Sequence, residues 1–453
     1  METTKQETRR LAAYLHGMQY QDFSQQVITT TKMCIQDFIG VSIAGSVKPE
    51  AEIWKKHYAD SYGIPTSSTF QPGFPKFAPE QAAALNAVFG HVMDMDDVHN
   101  ASITHLAVIT VPTAFALAQQ LHKSGRDVIE AVAAGYEAGA RIGEAINPSS
   151  YKYWHTTAVV GAFASGTTAA KLLGLTEEQL LNCLGSAGTQ AAGLWEFLAS
   201  GSMSKVLHTA NANLCGIRSA KLAKLGFTGA PTILEGERAF VRALAPEFDL
   251  NCIVKGFGEG LRIEENSFKP YACCRHTHSA NYCVEQILAS HKIKPEDIVS
   301  ITDDTYSTAV QTTNNPYPEN PYAAKFSLQF CIAAAIVLND LNDRVFTVEN
   351  INHPQIKGIM EKIKVRVDKD LDDAFRRDPN QWAHRLTITM KDGNTITEQV
   401  NYPIGDFHNP FDQNMADRKF TLLAEDRLGE DTCPSILKKL HRLETISDVS
   451  TLF

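Results

Sequence analysis

Apolar residues recur at spacings of three and four through most of the first 245 positions. The pattern is clearest in TTTKMCIQDFIGVSIAG (29–45), RDVIEAVAAGYEAGARIGEAI (126–146), TTAVVGAFASGTTAAKLLG (156–174), EEQLLNCLGSAGTQAAGLWEFL (177–198) and MSKVLHTANANLCGIRSAKLAKLG (203–226). That period sets one face of each helix against a core. The segments are rich in Gly, Ala and Ser, which lowers intrinsic helicity but lets backbones approach closely, so a tightly packed bundle is predicted. Gly125, Gly174 and Gly226 fall where C-terminal caps belong.

Beyond about residue 265 the period changes to two, in DIVSITDDTY (297–306), IKVRVD (363–368) and HRLTITMKDGNTITEQV (384–400). The last carries Asp392-Gly393 between two alternating arms, a hairpin signal. Helical stretches, SANYCVEQILASH (279–291) and FSLQFCIAAAIVLND (326–340), separate these strands, and MADRKFTLLAEDRLG (415–429) and CPSILKKLHRLETI (433–446) return to the helical period. The fold class read from this is mainly α. A large all-α domain spans 1–265, a smaller α+β domain spans 266–402, and helices in 403–453 return to pack on the first domain. Internal repeats and low-complexity segments are absent, which excludes solenoids and disordered scaffolds.

Composition narrows the function. The 453 residues are 44% hydrophobic, enough to fill two cores. With 42 basic and 51 acidic residues the net charge is -9, and no Lys/Arg run would neutralise phosphates, so nucleic acid is excluded as a partner. No run reaches the roughly 18 apolar residues of a membrane span. The amino terminus, METTKQETRRLAAYLHGMQYQDF, has no uninterrupted apolar stretch of the signal-peptide kind, so a cytoplasmic location is expected. Nine cysteines, without paired C-x-x-C units, read mainly as reduced core residues.

Four segments carry candidate chemistry. HVMDMDDVHNASITH (91–105) holds Asp94, Asp96, Asp97, His91, His99 and His105 between two apolar runs. Acid/base catalysis, metal binding at Asp94, Asp96, His99 and His105, and helix capping are all open to it. In YKYWHTTAVVG, His155 opens a helix, where an imidazole stays neutral more easily. In GSMSKVLHTANAN, Lys205 and His208 share one helix face. FKPYACCRHTHSANYC (268–283) places Lys269, Arg275, His276 and His278 at the proposed domain boundary, where Lys and Arg suit a carboxylate clamp. Cys273, Cys274, His276 and His278 are too tightly spaced to converge tetrahedrally on zinc, and no metal site is expected. His208, Arg275 and His278 are the substrate-binding candidates.

Together these segments, with AKFSLQF (324–330), resemble the MmgE/PrpD family, which includes 2-methylcitrate dehydratase, cis-aconitate decarboxylase and iminodisuccinate epimerase. The resemblance spans nearly the whole chain. It implies a homodimer in which a helical domain and a lid-like α+β domain enclose a cleft, with no organic cofactor. It makes Asp94, His105, His155, Lys205 and Lys269 the matching active-site positions. The chain departs from the decarboxylase pattern at Cys274 or Arg275, where a histidine is usual, and at Phe330, where a tyrosine is usual. It also has Val98 in place of a threonine, and one extra residue before His105. The function this implies is a lyase, dehydratase or decarboxylase, acting on a small di- or tricarboxylate. In it Lys205, Lys269 and Arg275 hold carboxylates, His105 supported by Asp94 moves a proton, and His155 is its counterpart. An epimerase of a dicarboxylate and a catalytically silent binding protein are the alternatives.

Overall fold

The computed structural model describes residues 6–61 and 63–452, so the first five residues of the amino-terminal stretch lie outside it. Long helices fill the first half: Gln25–Gly45, Pro79–His91, Ala107–Leu121, Gly125–Ile146, Thr156–Leu173 and Ser204–Lys224. Their starts follow local chemistry. Ser24, Ser124 and Thr176 each accept a hydrogen bond from the backbone N–H three residues on, which satisfies a first-turn donor. Thr156–Leu173 packs against both Ser204–Lys224 and Gly125–Ile146.

Two helix boundaries differ from the sequence reading. Gly125 is the first residue of a helix rather than a cap, and the preceding helix ends at His122 in the left-handed region. Glycine is required at 125 for a different reason: a Cβ there would lie 1.8 Å from the Leu443 carbonyl oxygen. Likewise, the helix begun at Glu177 stops at Gly188, and only a 3-10 turn, Trp195–Ala199, follows before Ser204. Gly193 accounts for this break, since its backbone takes φ +147° and a Cβ would sit 2.3 Å from that of Ala158. Gly174 caps its helix as read.

In the second half, the four-stranded sheet has the order Ile363–Val367, Ile298–Thr305, His384–Met390, Thr395–Val400. The first pair is parallel, with Ile301 opposite Ile363. The others are antiparallel, with Asp303 opposite Leu386 and Ile388 opposite Ile396. The hairpin turns through Asp392-Gly393, where Asp392 accepts from the Asn394 N–H. Helix His278–Ser290 covers the sheet, and one apolar cluster joins Leu85, Val88 and Phe89 of the first half to Tyr271, Val284, Phe330 and Leu386 of the second. The C-terminal helix Gln413–Leu428 lies along Gln25–Gly45, where Lys419 pairs with Asp37 at 2.6 Å. All nine cysteines are free, and eight are buried. No helix among the described residues is long and apolar enough to cross a membrane.

Candidate active site

The acidic stretch begins where helix Pro79–His91 ends, inside the apolar cluster, so its backbone carbonyls have to find partners without water. Three buried lysines from three distant segments supply them. Lys325 donates to the Met93 carbonyl at 2.6 Å, Lys269 to that of Asp94 at 3.0 Å, and Lys419 to that of Met95 at 2.9 Å. Asp94 takes a left-handed backbone, φ 54°, a conformation that costs a non-glycine residue about 1–3 kcal/mol and persists only where surroundings enforce it. A short ladder then pairs Val98 and His99 with Ser267 and Asn266, fastening the stretch to the segment that carries Lys269.

Asp94 is fully buried. Its Oδ1 meets the Lys269 ammonium at 2.6 Å and that of Lys205 at 2.9 Å. Burial alone would raise its pKa, but the two ammonium groups outweigh it and hold the carboxyl well below the ordinary range. An ammonium has three N–H donors. Lys269 uses two on Asp94 and Lys205 uses one, so three remain without a partner among the described residues. Lys205 also lies over the Phe326 ring, 5.1 Å from its centre.

Histidines form the other wall. His105 donates Nδ1–H to the Asp97 carbonyl at 2.6 Å, which leaves its Nε2 lone pair free to accept a proton. Its carboxylate neighbour is Asp96, at 3.5 Å, so the expected support from Asp94 is corrected: Asp94 is turned toward the lysines. His91 pairs with the same Asp96 oxygen at 2.8 Å. His155 caps helix Thr156–Leu173, and its Nδ1 meets that of His208 at 3.1 Å. Burial holds His91 below its ordinary pKa and His105 and His155 well below theirs; burial, with the charge of Lys205 adding to it, lowers His208 to about 4. These rings are neutral bases and donors. His208 also lines a cavity of about 760 Å³ walled by Trp154, Leu194, Phe197 and Leu207. A second cavity, of about 670 Å³ between residues 13–27 and 258–264, has acidic but no cationic groups in its wall, which does not suit an anion.

Of the sequence candidates, the fold therefore brings Asp94, Lys205, Lys269, His105, His155 and His208 together. Arg275 and His278 are not joined to them by any contact. Arg275 pairs with Asp406 at 3.1 Å and His278 at 3.3 Å, and His278 also contacts the Cys273 carbonyl at 3.2 Å. A buried guanidinium needs a fixed counter-ion, and Asp406 is that counter-ion. His99 is directed at Ser102 and lies 4.0 Å from Glu144 and Glu265, outside the cluster. Among the described residues only His91, Asp96 and His105 stand close enough to share a metal ion. Because His105 donates Nδ1–H to the Asp97 carbonyl, Nε2 is the nitrogen it would offer to such an ion.

Sequence reasoning missed Tyr151, which opens the segment quoted for His155, and Tyr322, which no motif marks. Both are half-buried, and desolvation raises both phenols well above their ordinary pKa; the Asp94 charge adds to this. Cys274 stands in the same field and is pushed up to about 12 by burial and by Asp94. Tyr322 hydroxyl, Asp94 Oδ2, Asp96 Oδ1, His91 Nε2, His155 Nε2 and His276 Nε2 are all buried without a hydrogen-bond partner. Such groups are costly to leave unpaired; Asp94 holds both ammonium groups, Asp96 pairs with His91, and the His91 ring lies 5.8 Å from that of His155, so these describe a site for a polar ligand.

Comparison with known proteins agrees with the resemblance in the sequence. Residues 9–253 match the MmgE/PrpD N-terminal domain and residues 271–443 the MmgE/PrpD C-terminal domain. The chain belongs to the MmgE/PrpD family. Its curated relatives include cis-aconitate decarboxylase of Mus musculus, 29% identical over 468 residues, covering 99% of this chain and 93% of that one. The Homo sapiens cis-aconitate decarboxylase is 27% identical, over 98% and 93% of the two chains. That of Aspergillus terreus is 26% identical, over 98% and 94%. The mainly α architecture with a smaller α+β part is thus that of an MmgE/PrpD protein. The Asp94–Lys269 ion pair joins the N-terminal family domain to the short segment, 254–270, that precedes the C-terminal one.

Proposed function

We propose that this MmgE/PrpD protein is a lyase that acts on a small di- or tricarboxylate without a cofactor, decarboxylation being favoured over dehydration. The observation that carries the reading is the pair of buried ammonium groups on one oxygen of Asp94, with three N–H donors left over. Two fixed cations in a dry cleft bind carboxylates far more strongly than they would in water. Similarity to cis-aconitate decarboxylases supports decarboxylation.

In the reaction, Lys205 and Lys269 hold carboxylates of the substrate and offset the charge that develops beside them. The bond to the departing carboxylate breaks, carbon dioxide leaves, and its electron pair passes into the remaining carbon framework. A proton must then be supplied to carbon. His105 takes up that proton at Nε2 as the anionic substrate binds and passes it to carbon, with Nδ1 anchored on the Asp97 carbonyl, and His155 serves as its counterpart. The active form is a homodimer, a reading supported by the exposed apolar side chains of Tyr153, Leu194, Met203 and Leu207. Light scattering tests this: a mass near that of one 49.8 kDa chain at micromolar concentration counts against it.

The function is tested by incubating the purified protein with cis-aconitate, 2-methylcitrate and related acids in deuterated water, followed by NMR. Carbon dioxide release with deuterium in the product is the expected result. Water loss alone would make it a dehydratase, exchange alone an epimerase, and inertness toward every acid a binding protein.

A further inference from the structure

His276 was noticed in the sequence only as part of a cluster, and the mechanism above does not use it. Its ring lies flat on Trp382, with centres 4.2 Å apart and planes 13° apart, and presents its side to Tyr151 at 5.9 Å. His276 Nδ1 meets the Tyr306 hydroxyl at 2.5 Å. That hydroxyl has no other partner among the described residues, so its hydrogen goes to Nδ1 and the imidazole proton resides on Nε2. The backbone is fixed as well: the His276 carbonyl accepts from His384 Nε2 at 2.9 Å, and His384 Nδ1 is held by Asp303 at 2.9 Å.

The result is an N–H donor, 2% exposed, whose hydrogen has no acceptor. Leaving such a donor unpaired costs stability unless a ligand takes it. The surroundings also keep it neutral. Burial, His384 and the Lys269 ammonium lower its pKa to about 3. Ring contacts join it to the site: Tyr151, its neighbour, lies 5.0 Å from the Trp195 ring, and Trp195 lies 4.7 Å from that of His155.

We propose that His276 is a further catalytic residue, whose neutral imidazole donates Nε2–H to the substrate oxygen on which negative charge grows. This inference rests on the carboxylate-lyase reading. A neutral donor suits that task, because its hydrogen bond strengthens as charge develops and it gives up no proton in doing so. It leaves the ground-state grip to the lysines. Tyr306 is then a positioning residue, since it decides which nitrogen carries the proton.

The test uses cis-aconitate as the reacting probe and tricarballylate, its saturated analogue, as the binding probe. His276→Phe keeps the stack on Trp382 and removes the donor. It is expected to lower kcat about a hundredfold, with KM and the tricarballylate dissociation constant within threefold of wild type. His276→Gln, which restores an N–H near the same point, should recover about tenfold of that loss, and Tyr306→Phe should fall between the two. Wild-type kcat in His276→Phe overturns the proposal while leaving the lyase reading intact. A loss in His276→Phe that resides in KM and tricarballylate binding makes His276 a binding residue and also overturns it. A wild-type protein inert toward cis-aconitate and the other acids overturns the lyase reading and this one with it.

Discussion

Lys205 and Lys269 reach one and the same oxygen of Asp94, at 2.9 and 2.6 Å, from opposite halves of the chain. Asp94 is fully buried and is the nearest counter-ion of both cations.

Asp94→Asn is therefore expected to destabilise the fold by roughly 3–5 kcal/mol, the usual penalty for stranding buried charge. Adding Lys205→Met should return part of that stability but no activity. The native carboxyl is held well below its ordinary value, so its contribution is present above the unfolded pKa near 4 and is lost as pH falls toward the folded one. Urea unfolding of the three proteins at pH 7 and at pH 4 measures this. Equal stability of Asp94→Asn and wild type at pH 7 would contradict it.

Asp97 gives the opposite slope. Burial raises its carboxyl to about 7, against the hydrogen bond from Tyr136. A raised acid contributes stability that is full below its unfolded value near 4 and fades as pH climbs through 7. The wild-type melting temperature should fall between pH 5 and pH 8 more steeply than that of Asp97→Asn. Parallel profiles would show that Asp97 is already ionised at pH 5.

His105→Gln should lower kcat by roughly a hundredfold or more while cis-aconitate still binds, because its Nε2 moves a proton. Lys269→Met should weaken binding and turnover together. It should also lower stability, since Lys269 is fully buried and holds both Asp94 and its carbonyl. Wild-type turnover in His105→Gln would remove the base from the mechanism.

Binding should take up protons. Lys205 and Lys269 are balanced by Asp94 and Asp96, and burial keeps His91, His105 and His155 neutral. A dicarboxylate adds negative charge beside those rings and raises their pKa values, so affinity for tricarballylate should fall as pH rises through 7. Calorimetry in two buffers of different ionisation enthalpy counts the protons, and a value of zero would refute the charge balance.

Activity should survive exhaustive treatment with chelators, since cations of the protein's own side chains take the place of a Lewis acid. Metal analysis finding one tightly bound ion per chain, with activity lost on its removal, would assign His91, Asp96 and His105 to that ion instead.

The elements were legible wherever one rule governed them. Period two located all four strands of the main sheet, and Asp392-Gly393 located their hairpin, because alternation and turn chemistry are local. The helix begun at Glu177 was extended too far, because Gly188 and Gly193 interrupt an apolar pattern that continues in composition though not in backbone. In the site, Asp94, Lys205, Lys269, His105, His155 and His208 were found from density of chemistry and resemblance. The counter-ion of Arg275 was not legible, because Asp406 lies 131 residues away. Tyr322 left no trace, and Tyr151 was passed over beside His155, since only the tertiary fold sets these tyrosines in the field of Asp94.

The grip of Lys325, Lys269 and Lys419 on three successive carbonyls has a consequence for synthesis. The ribosome releases the acidic stretch early, but the residues that shape it arrive much later, and Lys419 comes last. Until that lysine has emerged, the first helices are free to pack while the Met93–Met95 turn has no reason to adopt its one working form. The turn is thus completed only once Lys419 has emerged, and a nascent or clipped chain ending before it would lack the hold on the Met95 carbonyl.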